Sequence, residues 1–106
     1  MFDETEFSNF LHLVSQLAPN TIDFRQELGE FDYGPRPDNL KGNTSGKARL
    51  VETIQFKYYG EVSRLHPQLP HGKGIRLSLE KNFLDEGWFV GGVRSHKGRW
   101  LDENHN

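Results

Sequence analysis

Five histidines are the main candidates for acid–base chemistry in this chain of 106 residues, because imidazole titrates close to neutral pH. A metal-independent ribonuclease combines such a base with a carboxylate and with a cation that stabilises the charged phosphorane. The residues that could fill these three roles are His66, His71 and His96, Glu61 and Glu80, and Arg76 and Arg94. Their spacing selects no single combination, so no catalytic residue is predicted and the ribonuclease stays an alternative.

Two loops contain parts of a ligand-binding motif, but each lacks essential members. His66 and His71 flank a short proline-containing segment with no carboxylate or cysteine to complete a metal site. In residues 42–47, three residues separate the two glycines where a phosphate-binding loop has four, and Ala48 stands where Ser or Thr should follow the lysine. The sequence therefore predicts neither a metal nor a cofactor.

Charge is divided along the chain, although the net charge is only −2. Residues 1–35 carry seven acids and one arginine, whereas residues 36–101 carry twelve bases and six acids. An acidic surface attracts a basic partner and speeds its association, although pairing of opposite charges within the molecule is the plainer explanation. The predicted partner-binding residues are Asp23, Glu27, Glu30, Asp32, Tyr33, Tyr58 and Tyr59.

The C-terminal half offers an alternative surface for RNA or single-stranded DNA, because its cations are interleaved with aromatic rings. Rings of this kind stack on bases while cations follow the phosphates. The residues of this alternative are Lys57, Arg94, His96, Lys97, Arg99 and Trp100. Against it, the chain as a whole is slightly acidic, and no helix-turn-helix, KH or RRM signature is present.

An amphipathic helix is the first element that positions these residues. Apolar side chains recur at three- and four-residue spacing, which predicts a helix over about residues 4–18. Asp3 is its predicted N-cap, with Glu6 as the capping-box partner, and Pro19 is expected to end it. From Ile22 the apolar period changes to two, which predicts a strand that continues past a bulge at Gly29.

The rest of the chain alternates between loops and strands. Residues 34–48 are rich in glycine, proline and polar residues and are predicted to form a mobile loop. Alternating apolar residues then predict one long strand over residues 49–64, a strand over 75–79, and a hairpin of two strands, 88–95 and 99–101, joined at residues 96–98. Residues 102–106 form a polar tail. No internal repeat is evident. The fold class is therefore predicted as α+β, with one N-terminal helix packed on a four- to five-stranded antiparallel meander.

Length and composition limit the classes of function. Leu, Ile, Val and Phe total 28 residues, enough apolar material for one folded domain over residues 1–106. No apolar segment is long enough to cross a membrane. The N-terminus lacks secretory-signal features, and the absence of cysteine is compatible with the cytoplasm. We therefore expect a small non-catalytic binding protein of the inhibitor or immunity type, monomeric or homodimeric, with a protein partner.

Overall fold

The computed structural model describes residues 2–102, which form two helices followed by five antiparallel strands. The helices α1 and α2 span Glu4–Leu17 and Pro19–Leu28, and the strands β1 to β5 span Arg49–Glu52, Phe56–Val62, Pro70–Ser78, Phe83–Val90 and Val93–Leu101. The strands pair in chain order, each antiparallel to the next. The predicted α+β class and antiparallel meander are confirmed, with two helices in place of one. Two details are wrong: residues 49–64 form two strands joined at residues 53–55, and the last hairpin turns at residues 91–92, because residues 96–98 belong to β5. Residues 103–106 of the predicted tail lie outside the described part.

Helix α1 has the predicted N-cap, but a tyrosine takes the place of the capping box. The Asp3 carboxylate accepts the Glu6 backbone N–H at 3.0 Å. The Glu6 carboxylate does not return this bond, because it accepts the Tyr59 hydroxyl at 3.0 Å. That hydroxyl in turn accepts the Asp3 backbone N–H at 3.1 Å. A side chain from strand β2 thus satisfies the start of the helix and ties it to the sheet.

The strand predicted from Ile22 is wrong, because this segment forms helix α2. Pro19 does not end the helical region; it occupies the first turn of the second helix, where its missing N–H costs nothing. The buried side is made by Ala18, Thr21 and Ile22, which have helical spacing. Thr21 is tolerated there since its hydroxyl donates to the Ala18 carbonyl at 2.7 Å. Gly29 is the C-cap, with a φ of 83°, rather than a bulge.

The segment after helix α2 keeps the predicted alternation without joining the sheet. Phe31 and Tyr33 are half-buried, whereas Glu30 and Asp32 are exposed. The predicted loop over residues 34–48 contains a short 3₁₀ helix, Asp38–Leu40. Leu40 is fully buried within it, so the loop is anchored in the protein. Its mobility stays a prediction.

The sheet packs apolar side chains on both of its faces. Phe10 and Val14 of helix α1 are buried against one face, as the helical periodicity predicts. The sheet residues in that cluster are Tyr59, Ile75, Leu77, Leu84 and Leu101. The opposite face carries a smaller cluster of Val51, Tyr58, Val62 and Phe89. We call these the helix face and the open face. Within residues 2–102, neither helix has the length and apolar character needed to cross a membrane.

Four glycines form a row across the sheet, where each pairs with the next. Gly60 pairs with Gly74, Gly74 with Gly87, and Gly87 with Gly98. A Cβ on Gly60 would collide with the Gly74 Cα, and one on Gly87 would lie 2.7 Å from the Gly98 Cα. At Gly60 and Gly87 no side chain therefore fits without a shift of the neighbouring strand, whereas at Gly74 and Gly98 the nearest atoms belong to the side chains of Tyr58 and Arg94.

The hairpins β2–β3 and β4–β5 repeat one pattern. Each has a glycine followed by a register shift on its first strand, at Gly60 and Gly87. Each then has a Lys-Gly pair on its second strand, at residues 73–74 and 97–98. The two hairpins share these local features only. Their loops differ in length, with residues 63–69 in one hairpin and 91–92 in the other.

Candidate binding sites

The four acids predicted to bind a partner all lie on the surface. Asp23 and Glu27 are one helical turn apart on α2, and Glu30 and Asp32 point outward from the segment that follows. The carboxylate of Asp32 lies 3.8 Å from the ammonium of Lys97. Among the described residues, the other three acids form no ion pair. We call these four residues the acidic face.

The three tyrosines assigned to the same surface lie deeper. Tyr58 and Tyr59 are buried, with 0% and 2% of their area exposed, so their predicted role in contacting a partner is wrong. Burial raises the pKa of Tyr58 well above its ordinary value. Tyr33 is half-buried, and its hydroxyl donates to the Gly74 carbonyl at 3.3 Å. Aromatic strand residues are as suited to a core as to an interface, and here Tyr58 and Tyr59 belong to the apolar clusters on opposite faces of the sheet.

Glu86 holds two arginines on the helix face. Its side chain is only 1% exposed, and its carboxylate lies 2.9 Å from the Arg25 guanidinium and 3.0 Å from that of Arg99. Arg99 also donates to the Gly29 carbonyl at 2.6 Å. This cluster therefore joins the end of helix α2 to strands β4 and β5.

Asp85, the preceding residue, forms the matching cluster on the open face. Arg94 donates to its carboxylate at 2.9 Å, and the Arg76 guanidinium lies 3.5 Å from its second oxygen. The Arg76 guanidinium also lies over the rings of Phe56 and Phe89, at 5.5 and 4.9 Å from their centroids. Each of two neighbouring carboxylates on β4 is thus satisfied by two arginines.

The residues predicted to bind nucleic acid lie on different faces of the sheet. Arg94 and Trp100 belong to the open face, where Trp100 pairs with Asp85, whereas Arg99 is bound to Glu86 on the helix face. Lys57 is paired with Glu52, and Lys97 lies near Asp32. The side chain of His96 lies outside the described part. The structure does not bring the described five together on one surface.

The residues considered for a ribonuclease are also dispersed. His66 is exposed in the loop between β2 and β3, and Glu80 is exposed in the next turn. His71 accepts the Gly91 backbone N–H at 3.0 Å. Apart from His96, no histidine within residues 2–102 forms an ion pair with a carboxylate. The same residues contain no group of three His, Asp or Glu that could hold a metal ion.

A cleft with a volume of about 530 Å³ lies between the segment following α2 and the sheet. The side chains that give it its chemical character are Tyr33, Arg36, Glu61, Arg64, Lys73 and Trp88. Glu61 and Trp88 follow the first glycine of their hairpins, and Lys73 precedes the second. The repeated hairpins thus supply one wall of the cleft.

Glu61 is the only carboxylate in the described lining of this cleft, and it is already neutralised. Its side chain is 4% exposed, and its oxygens lie 2.8 Å from the Arg36 guanidinium and 2.9 Å from the Lys73 backbone nitrogen. Burial alone raises the pKa of Glu61, but the Arg36 ion pair and the Lys73 N–H outweigh it, so the pKa is lower than usual. Glu61 therefore stays ionised near neutral pH and is not suited to proton transfer.

Aromatic rings hold two cations of the cleft in place. The Arg36 guanidinium lies over the Trp88 ring, 5.2 Å from its centroid. The Lys73 ammonium lies over Tyr33 at 4.6 Å and over Phe2 at 5.3 Å. The Trp88 indole N–H donates to the Tyr33 carbonyl at 2.8 Å, which fixes the two rings relative to each other. Cation–π contacts of this kind position a charge without cancelling it.

Sequence reasoning did not identify this cleft. Arg36, Arg64 and Lys73 come from three separated segments, and no local motif connects them. The one available signal is the repeated Lys-Gly pair, which places Lys73 next to the paired glycines.

Fold and sites together define an α+β protein in which two helices precede a five-stranded meander with an acidic face and a cationic cleft. Comparison with protein-family models, with curated proteins and with solved structures found no match to this chain. The function is therefore argued from the geometry of these two sites.

Proposed function

We propose that this protein is a non-catalytic module that binds and regulates a basic protein partner through its acidic face, as an inhibitor or immunity-type protein would. The observation that carries the proposal is the uneven distribution of ion pairs between the interior carboxylates and the acidic face. Most arginines of the sheet contact interior carboxylates, whereas the acidic face has one contact at 3.8 Å, between Asp32 and Lys97. The negative charge of this face is therefore available to a partner.

Apolar side chains beside these acids support a protein partner in particular. Leu28 follows Glu27 at the end of helix α2 and is 51% exposed, and Leu17 is 42% exposed at the end of α1. An interface gains affinity mainly from apolar contacts at its centre, while charges at its rim raise the association rate. Acids next to an exposed leucine supply both parts. The proposal includes a cytoplasmic location, which the absence of cysteine favours.

Affinity capture from host lysate, with and without nuclease treatment, tests the proposal. The bait is the tagged protein, compared with the double variants Asp23→Asn/Glu27→Gln and Glu30→Gln/Asp32→Asn. The matched control is Glu4→Gln/Glu80→Gln, which removes two exposed acids outside the face. We expect one stoichiometric protein to be recovered by the wild type and the control and to be reduced with both face variants.

Equal recovery by all four baits would overturn the acidic face as the binding surface. Loss of every partner on nuclease treatment would favour the nucleic-acid alternative instead. Circular dichroism of each variant checks that the change in recovery comes from the surface and not from unfolding.

A further inference from the structure

We propose that the cleft between Arg36, Arg64 and Lys73 is a second binding site, which takes a compact dianion of the phosphate-monoester class. This site is separate from the acidic face and does not depend on the function proposed for it. The argument starts from the cations of the lining that have no carboxylate partner.

Two of the three cations in the cleft have no carboxylate partner among the described residues. Arg36 is bound to Glu61 at 2.8 Å. Lys73 and Arg64 form no ion pair within residues 2–102, and both line the same cleft. Three cations against one carboxylate leave the lining with a net charge of +2. A phosphate monoester carries a charge of about −1.5 to −2 at neutral pH, which matches this excess.

The cleft favours a compact anion over a nucleotide, because its ring faces are already covered. The Arg36 guanidinium lies over Trp88, and the Lys73 ammonium lies between Tyr33 and Phe2. A nucleobase would need one of these faces for stacking. The rings instead serve to hold the cations in position, which lowers the entropy lost when they close on an anion.

The loop of residues 34–48 forms one wall of the cleft and is attached to the rest of the protein through Thr44. Gly42, Thr44 and Gly46 line the cleft, and Thr44 is buried and bridged to Ser63 at the end of strand β2. Lys47 belongs to the segment 42–47, whose glycine spacing differs from that of a phosphate-binding loop, and it lines a different depression. The cations for the anion thus come from the sheet and from the loops at residues 36 and 64, and not from that motif.

Titration with inorganic phosphate and with glycerol 3-phosphate, followed by amide chemical shifts, tests this site. The variants are Lys73→Gln and Arg64→Gln, and the matched control is Lys47→Gln, an exposed lysine outside the cleft. Loss of one charged hydrogen bond weakens binding by about tenfold or more. We expect that loss in both cleft variants and no change in the control. Arg64 is exposed, so its variant keeps the test valid if Lys73→Gln unfolds.

The pH dependence of binding supplies a second readout. Glycerol 3-phosphate, as a phosphate monoester, gains its second charge near pH 6, so its affinity should rise between about pH 5 and pH 7. Sulfate has the same shape but keeps its two charges over this range, so its binding should stay constant. A parallel rise for sulfate would overturn the charge-matching argument.

Two further results would overturn the proposal. The first is an equal loss of binding in Lys47→Gln, which would show a non-specific cationic surface. The second is tighter binding of a short oligouridylate that depends on the same residues, which would favour the nucleic-acid alternative. The variant Glu30→Gln/Asp32→Asn should leave phosphate binding unchanged, so that failure of this site and failure of the acidic face are distinguishable.

Discussion

The interior carboxylates Glu61, Asp85 and Glu86 and the acids of the acidic face have the same chemistry but opposite surroundings. Each interior carboxylate contacts one or two arginines and has a side chain less than about one-tenth exposed. The acidic face shares one contact at 3.8 Å. Because the interior acids take up most arginines of the sheet, the only counterion of the acidic face among the described residues is Lys97, near Asp32. A nearly neutral chain thereby presents a strongly acidic surface.

The largest expected effect comes from removing Glu86. Glu86→Ala leaves Arg25 and Arg99 without their shared carboxylate, and breaking a buried pair in this way costs about 3–5 kcal/mol. Urea denaturation measures the change in the free energy of unfolding. The control Glu80→Ala, at an exposed acid, should stay within about 0.5 kcal/mol. A loss in Glu86→Ala no greater than in the control would contradict the structural role of this cluster.

Asp85 should matter less than Glu86, although it also has two arginines. Its side chain is 9% exposed against 1% for Glu86, and its Arg94 partner is 28% exposed, so water compensates part of the loss. We expect Asp85→Asn to lower the free energy of unfolding by about 1–3 kcal/mol. The same urea series measures this, and equal losses at both positions would remove the distinction between the two faces of the sheet.

Glu61 should affect stability chiefly in acid. Since its pKa in the folded protein lies below its ordinary value of 4.5, its contribution is complete above that value. It is lost as the pH falls through the lower folded pKa. The variant Glu61→Gln should therefore flatten the decline in stability at acid pH, while Glu80→Gln leaves it unchanged. Thermal denaturation across that range measures the effect, and an identical acid decline in Glu61→Gln would refute it.

The smallest expected effect on stability belongs to the acidic face. Glu30→Lys/Asp32→Lys should change the free energy of unfolding by no more than about 0.5 kcal/mol. It should nevertheless slow association with a basic partner by about tenfold or more at low salt, and the difference should shrink as salt screens the charges. Surface plasmon resonance with the captured partner measures the association rate at low and at higher salt. An unchanged association rate at low ionic strength would remove these two acids from the interface.

Local patterns in the sequence predict much of this fold. The periodicity from Phe7 to Ala18 predicts helix α1, and the alternation around Ile75 and Leu77 predicts a strand of the sheet. Helix α2 was missed for two reasons. Pro19 is equally suited to ending one helix and beginning another, and Thr21 is a polar residue at a buried position whose hydroxyl bonds locally.

The sequence predicts a feature of the candidate sites only where the type of a single residue determines it. Exposure of Asp23 and Glu27 follows from their charge, since an unpaired carboxylate is costly to bury. The cleft depends on contacts between distant segments, such as Arg36 with Glu61 and Lys73 with Tyr33. No pattern within one segment predicts a contact between residues so far apart in the sequence.

The glycine row also determines which inherited changes the sheet tolerates. Every missense change in these four codons adds at least a Cβ, and that atom would meet the neighbouring strand at Gly60 and Gly87 and the buried Tyr58 ring at Gly74. A substitution at Gly60 or Gly87 would therefore require a shift of the neighbouring strand itself. Residues 63–69 contain no glycine, so the loop of hairpin β2–β3 is free of this restriction. The loop of hairpin β4–β5 is not, because it consists of Gly91 and Gly92, which both have a positive φ.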